Sequence, residues 1–86
     1  MFSGEEANVI LSCSNSILDE IIEKFGDEVP IKIDDNEHFR IKAEVEMSEG
    51  LVSWILQYGT DIRVIQPKAL ARAVKEKASQ ILAMYE

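Results

Sequence analysis

The segment from Gly50 to Pro67, GLVSWILQYGTDIRVIQP, leaves this chain few choices of structure. Its apolar residues recur at helical spacing and predict an amphipathic helix. They are Leu51, Val52, Trp54, Ile55, Leu56 and Tyr58. Gly59 is predicted to end the helix because glycine adopts the left-handed conformation without a Cβ clash. Ile62–Gln66 is rich in β-branched residues and predicts a strand, which ends at Pro67, a residue that suits the first turn of a new helix. The segment is therefore one packing unit without a catalytic residue type.

Strands and helices also alternate before this segment. Asn8–Cys13 is a nearly continuous apolar run, which predicts a central strand. Ser16 and Asp19 have the Ser-x-x-acid spacing that begins a helix, and Gly26 is predicted to end that helix. The apolar residues on one face of this helix are Ile17, Leu18, Ile21, Ile22 and Phe25.

A hairpin is predicted next. Val29–Ile33 alternates apolar and other residues, and Pro30 assigns this strand to a sheet edge because proline cannot donate to a ladder. Phe39–Met47 alternates more regularly, with apolar residues inward and charged residues outward. Ser48 is predicted to cap the second helix. The third helix carries an apolar stripe from Leu70 to Tyr85 that is long enough to pack along a neighbour.

The predicted order of elements is β-α-β-β-α-β-α. Two right-handed β-α-β crossovers around a hairpin predict an α+β fold, a ferredoxin-like sandwich with an additional C-terminal helix. Residues 7–86 are assigned to this domain, and residues 1–6 to a lead-in or boundary segment because they lack periodicity.

Length and charge narrow the classes of function. The chain has 86 residues, enough for one domain, and a formal net charge of −7. An acidic domain does not attract nucleic acid as a whole, so any such binding requires a local basic surface. No apolar run reaches the roughly 20 residues of a membrane helix, and the single cysteine, Cys13, excludes an internal disulfide. We therefore expect a cytoplasmic protein without a membrane segment, with Cys13 as a small buried residue.

Catalytic and metal sites find little support in the sequence. Asp34, Asp35, Glu37 and His38 resemble a metal cluster only superficially, because the sixth position of a calcium loop would be Phe39 instead of glycine. A solvated hairpin turn is the favoured interpretation. His38 has no evident partner for general base chemistry, and no glycine-rich phosphate loop follows the first strand. We expect neither enzymatic activity nor a cofactor.

One surface is a candidate for binding anions. The outward residues of the sheet include Lys32, Arg40, Lys42 and Arg63, a basic cluster on an acidic protein. RNA-binding sheets add aromatic stacking residues, and the strand HFRIKAEVEM supplies only Phe39. A solvated or interdomain face is therefore favoured over a nucleotide site. Trp54 and Tyr58 are interpreted as core residues.

The order of these features resembles a known module. The residues that carry the resemblance are Phe25-Gly26, Phe39, Trp54, Tyr58-Gly59, Val64-Ile65, Pro67 and Tyr85. Over residues 7–86 the chain is similar to WCX, the C-terminal extension domain of bacterial WYL-family transcription regulators.

This resemblance implies a non-enzymatic regulatory and oligomerisation module. Such regulators have an upstream winged-helix domain that binds DNA and a WYL domain that senses a ligand, and neither is present in this sequence. The resemblance implies a homodimer of the full-length regulator, and a contribution to sensing a nucleotide or nucleic-acid effector. The alternative is a stand-alone ferredoxin-like domain that binds a small molecule.

Overall fold

Four strands form one antiparallel sheet in the computed structural model, which describes residues 5–86. The strands are β1 (Glu6–Ser14), β2 (Ile31–Ile33), β3 (His38–Glu46) and β4 (Ile62–Gln66). Their spatial order is β2-β3-β1-β4, so β1 and β3 are central and β2 and β4 are the edges. The central strands pair over their whole length, from Glu6 opposite Glu46 to Ser14 opposite His38. The Met1–Gly4 part of the predicted lead-in lies outside the described residues.

Three α-helices complete the fold: α1 (Leu18–Phe25), α2 (Glu49–Gln57) and α3 (Lys68–Met84). The first helix connects β1 to β2, and the second connects β3 to β4. In each case another strand lies between the two connected strands. The chain is therefore a mixed α/β domain with a four-stranded antiparallel sheet and three helices.

The starts of the helices follow the sequence signals in part. Ser48 caps α2 as predicted, because its Oγ accepts a hydrogen bond from the N–H of Leu51 at 3.1 Å. Ser16 does not cap α1: a 3₁₀ turn over Asn15–Ile17 precedes that helix, which has no side-chain cap. Hydrogen bonds hold this turn against the hairpin, since Asn15 donates through its backbone N–H and its side-chain Nδ2 to carbonyls of residues 37 and 36.

Pro67 precedes α3 instead of lying in its first turn. It occupies the N-cap position in an extended conformation, after a cis peptide bond with Gln66. Its carbonyl oxygen accepts hydrogen bonds from the N–H groups of Leu70 and Ala71 at 3.1 and 3.2 Å. The predicted junction between strand and helix is thus present, one position later than expected.

The strand β2 lies at an edge, as Pro30 predicted, but it is shorter than the expected Val29–Ile33. Ile31 and Ile33 lie opposite Ile41 and Phe39 of β3, and therefore point to the face of the sheet that carries the core. They are nevertheless exposed, Ile33 to 88%. The helices therefore leave this edge of the sheet uncovered.

The core lies between the sheet and the helices. Its buried apolar side chains are Val9, Leu11, Cys13, Ile17, Ile21, Phe39, Ile41, Met47, Leu51, Val52, Ile55, Ile62 and Leu70. Trp54 and Tyr58 are half-buried against it, with ring centroids 5.1 Å apart. Trp54 also meets Phe25 of α1 edge-to-face at 5.4 Å, and Lys24 Nζ lies 5.3 Å from the Trp54 ring centroid. These aromatic residues therefore pack α1 against α2.

The third helix extends beyond the core. Its only buried residue is Leu70, with Ala73 and Val74 half-buried, whereas every residue from 78 to 86 is exposed. The second half of the apolar stripe predicted for this helix therefore does not pack against the core. Within residues 5–86, none of the helices combines the length and apolar character needed to cross a bilayer.

Candidate anion-binding face

The predicted basic residues lie on the open face of the sheet, opposite the core. Strand pairing places Lys32 opposite Arg40, Arg40 opposite Ser12, and Ser12 opposite Arg63. Residues directly opposite in antiparallel strands point to the same face, with Cβ atoms roughly 5 Å apart. These four side chains therefore form one row across the whole sheet, with three cations and one hydroxyl.

Lys42 lies in the neighbouring row, opposite Ile10. Together with Lys32 and Arg40 it lines a recess of about 230 Å³, to which Ile10 and Pro30 contribute apolar surface. All three basic residues are exposed. The structure therefore brings three of the four predicted residues to one recess, where several cations can face one ligand.

An internal carboxylate partly neutralises this site. Asp34 Oδ1 lies 3.2 Å from Arg40 Nε, and Asp34 Oδ2 accepts a hydrogen bond from Ser12 Oγ at 3.2 Å. Asp34 follows β2 directly, so the hairpin turn carries its side chain over the open face. Among residues 5–86, Arg40 alone of the four predicted cations has an acidic partner within 4.0 Å.

Arg63 occupies a different environment from the other three. It lines a second recess, of about 220 Å³, together with Ser12, Asp34, Asp35, His38, Thr60 and Asp61. Three carboxylates share this recess with one guanidinium and one imidazole. Arg63 therefore belongs to the row geometrically, although its surroundings favour an anion less than those of Lys32 and Lys42.

The remaining part of the open face is acidic. Further along β3, Glu44 lies opposite Asn8, and Glu46 lies opposite Glu6. These three glutamates are exposed. The open face is consequently divided into a basic half near the hairpin turn and an acidic half near the start of β1.

His38 has a partner that was not expected from the sequence. Its Nδ1 lies 2.9 Å from Asp35 Oδ1, across the hairpin turn. This hydrogen bond raises the pKa of His38 above its ordinary value. The backbone N–H of Glu37 and the His38 ring together hold the pKa of Asp35 below its ordinary value. The pair therefore stabilises the turn that presents Asp34.

Two other candidate groups lie outside this face. Cys13 is fully buried in the core, and burial raises the pKa of its thiol to about 12. Its side chain is therefore protonated and inert at neutral pH. Within residues 5–86, no three side chains of His, Cys, Asp or Glu are grouped closely enough to hold a metal ion.

The chain was compared with curated proteins and with known domain families. No curated protein matches the chain at a significant level. The WCX domain family matches residues 5–82, which include every strand and all but the last residues of α3. Because this match spans almost the whole sequence, the chain belongs to the WCX domain family.

Proposed function

We propose that this chain is a non-enzymatic regulatory module of a WYL-type transcription regulator, and that the basic half of its open face binds an anionic effector. Membership of the WCX family supports the regulatory assignment. The observation that carries the binding site is the recess where Lys32, Arg40 and Lys42 converge. In the complete regulator, the upstream WYL and winged-helix domains would adjoin this module, and the winged helix would bind DNA.

We also infer that the fold is the ferredoxin-like sandwich. The strand order β2-β3-β1-β4, with each helix connecting strands that are not neighbours, supports this assignment. In that arrangement the helices cover one face of the sheet and leave the other open. The open face is then free to contact an effector or an adjacent domain.

The chemistry of the face favours phosphate groups over bases. Phe39, the only Phe, Tyr or Trp of the central strands, points into the core and is buried. Sequence-tolerant binding of single strands depends on bases stacking on aromatic rings, and within residues 5–86 the strands of this face carry no Phe, Tyr or Trp. The one imidazole, of His38, is paired with Asp35. The proposed effector is therefore a nucleotide or a short single-stranded nucleic acid that is held mainly through its phosphates.

The test uses fluorescence anisotropy with a labelled short single-stranded oligonucleotide, and competition by a nucleoside diphosphate. The variant replaces Lys32 and Lys42 with glutamine, because neither residue has an acidic partner within 4.0 Å among residues 5–86. We expect about tenfold weaker binding, since two exposed ion pairs contribute roughly 1.4 kcal/mol together. The dependence of log K on log salt should also become shallower, by about 0.7 for each phosphate that the variant no longer neutralises.

The matched control replaces Lys68 and Arg72 of α3 with glutamine. It removes the same charge from the protein, and we expect it to retain wild-type affinity and salt dependence apart from a small general effect. If both variants bind equally weakly, the binding reflects overall charge and the proposed site is wrong.

A second candidate function rests on the apolar lining of the same recess. Ile10 and Pro30 lie beside the lysines, so a small carboxylate with an apolar part would also fit. This is the alternative of a small-molecule-binding domain. Binding of such carboxylates with no response to oligonucleotide or nucleotide would favour it.

A further inference from the structure

The exposed half of α3 carries a continuous apolar stripe. Ala78, Ile81 and Tyr85 are separated by three and four residues, the spacing of a coiled-coil seam, and Leu82 flanks it. Val74, four residues earlier, continues the same stripe but is half-buried against the core. Tyr85 is 82% exposed and Leu82 60% exposed. Exposed apolar groups that adjoin one another in this way mark an interaction surface. Nothing among residues 5–86 covers the helix from residue 78 onward.

The charges along α3 are distributed unevenly. Lys68, Arg72, Lys75 and Lys77 lie in the first part of the helix, with Glu76 among them. The second part has no basic residue, and Glu86 follows its end. A parallel pair of these helices would place bases against bases. An antiparallel pair would place the apolar end of each helix beside the basic part of the other.

We propose that two copies of this chain associate through an antiparallel seam formed by the second halves of their α3 helices. This inference rests on the homodimer that the resemblance to WCX domains implies, and it names the surface. Ala78 of one copy packs on Ile81 of the other, and Tyr85 reaches the part of Val74 that the core of that copy leaves exposed. The twofold axis repeats each of these contacts with the two copies exchanged, so the interface is isologous and closes at two subunits.

The flanking residues agree with this register. Lys75 of one copy lies beside Leu82 of the other, and its aliphatic stem covers the leucine while the ammonium group remains in water. Glu86 of one copy approaches Lys75 of the other, which gives an attraction of opposite charges. The antiparallel helix dipoles also oppose each other favourably.

The seam is short, which determines the strength of association. Only about three turns of each helix take part, an interface at the small end of those found in specific complexes. We therefore expect a reversible dimer in the 86-residue chain, with the fraction of dimer rising with concentration. Analytical ultracentrifugation over a wide concentration range would measure it.

Two substitutions test the surface. Ile81→Glu places two carboxylates on either side of the twofold axis, about 4.5 Å apart along the helices. Tyr85→Glu changes a residue that contributes little to the monomer core because it is 82% exposed. We expect each to weaken the dimer at least tenfold. Ala83→Glu adds the same charge on the opposite side of the helix and should leave the dimer unchanged. Circular dichroism melting would verify that Tyr85→Glu retains the wild-type fold.

Thiol cross-linking tests the direction of the helices. Cys13 does not interfere, because it is fully buried and its pKa is raised to about 12. In an antiparallel seam, a short bismaleimide joins Tyr85→Cys chains to Lys75→Cys chains. Two Tyr85→Cys chains remain unjoined, because residues 85 are separated by roughly 16 Å along the axis at 1.5 Å per residue.

The outcomes separate this surface from dimerisation in general. A dimer that is unaffected by Ile81→Glu and Tyr85→Glu would overturn the seam and leave dimerisation standing. Efficient cross-linking between two Tyr85→Cys chains would overturn the antiparallel direction. A chain that is monomeric at every concentration would overturn both the seam and self-association of this chain, while the anion-binding test would be unaffected.

Discussion

At the scale of single residues, the hairpin turn shows how a local ion pair organises the candidate site. Asp35 accepts from the backbone N–H of Glu37 at 2.7 Å and from the His38 ring at 2.9 Å. The preceding residue, Asp34, extends over the open face, where it forms an ion pair with Arg40 and accepts a hydrogen bond from Ser12. Two adjacent aspartates thus have separate roles, one closing the turn and the other setting the charge of the basic half.

The protonation of His38 provides a direct measurement of this turn. Asp35→Asn removes the carboxylate that raises the pKa of His38, so the imidazole should titrate at a lower pH than in the wild type. NMR of the imidazole protons across neutral pH would show this difference. Lys75→Gln, a substitution on α3, should leave the titration unchanged. If the pKa of His38 were the same in Asp35→Asn and Lys75→Gln, the pair between His38 and Asp35 would be absent in solution.

The pKa shifts of His38 and Asp35 determine how the stability of the fold changes with pH. The raised pKa of His38 contributes stability that is complete at low pH and is lost as the pH rises through the folded pKa. The lowered pKa of Asp35 contributes stability that is lost as the pH falls through its folded pKa. The pair therefore stabilises the fold most between the titration of the carboxyl and that of the imidazole. Both groups are exposed, so the total effect should be small.

At the scale of elements, two glycines end helices with backbone conformations that other residues rarely adopt. Gly26 follows α1 with φ +91°, and Gly59 follows α2 with φ +58°. Both glycines were predicted from the sequence as helix ends. A Cβ atom at either position would have no neighbour within 4 Å, so a substitution there is strained only through the backbone.

Alanine substitutions separate this strain from packing. Gly26→Ala should lower the free energy of unfolding by about 1–3 kcal/mol, the usual cost of a non-glycine residue in a sparsely populated conformation. Gly50→Ala is the control, because Gly50 lies inside α2 with ordinary helical geometry and an added Cβ is 3.6 Å from Ser48 Oγ. It should raise stability by up to about 1 kcal/mol. Urea denaturation would measure the free energy of unfolding of both variants. A decrease of stability in both would contradict the assignment of the effect to backbone strain at Gly26.

The elements were predictable where a local signal decides the structure. Pro30 predicted the edge position of β2, Ser48 the start of α2, and the alternation after Phe39 the inward face of β3. Ser16 failed as a cap because contacts of Asn15 with the distant hairpin turn hold that segment in a 3₁₀ turn. A short-range pattern cannot report such a contact.

The candidate site was predictable only in part, for the same reason. Alternation along β3 assigned Arg40 and Lys42 to the open face, but nothing local showed that Asp34 reaches Arg40. The hairpin register contains this information: Lys32 opposite Arg40 places the residues after β2 next to the same arginine. Arg63 could not be separated from the other bases, because two of its three acidic neighbours, Asp34 and Asp35, come from the distant hairpin turn.

At the scale of the whole molecule, stability should decrease from the centre of the sheet to its edge and to the end of α3. The middle of β1 pairs with both β3 and β4, and Val9, Leu11 and Cys13 are fully buried. In contrast, β2 has three exposed residues and one partner strand. Elements with few buried contacts open locally without global unfolding.

Hydrogen exchange followed by NMR would test this order. We expect the amides of Leu11 and Cys13 to exchange only through global unfolding, and those of β2 to exchange much faster. The amides of residues 80–84 should exchange quickly in dilute solution and more slowly at concentrations that favour the α3 seam. Protection of β2 equal to that of β1 would contradict the exposed edge.

The ion pair between Asp34 and Arg40 has a consequence for selectivity. An anion that approached Arg40 Nε would compete with a carboxylate that is already present at a very high effective concentration, because it belongs to the same hairpin. At the proposed anion site, a monovalent ion would gain too little from the exchange to displace this carboxylate. A dianion or a chain of phosphates would also engage Lys32 and Lys42 and would compensate for the broken pair. The internal ion pair would thus favour polyvalent anions over monovalent ones.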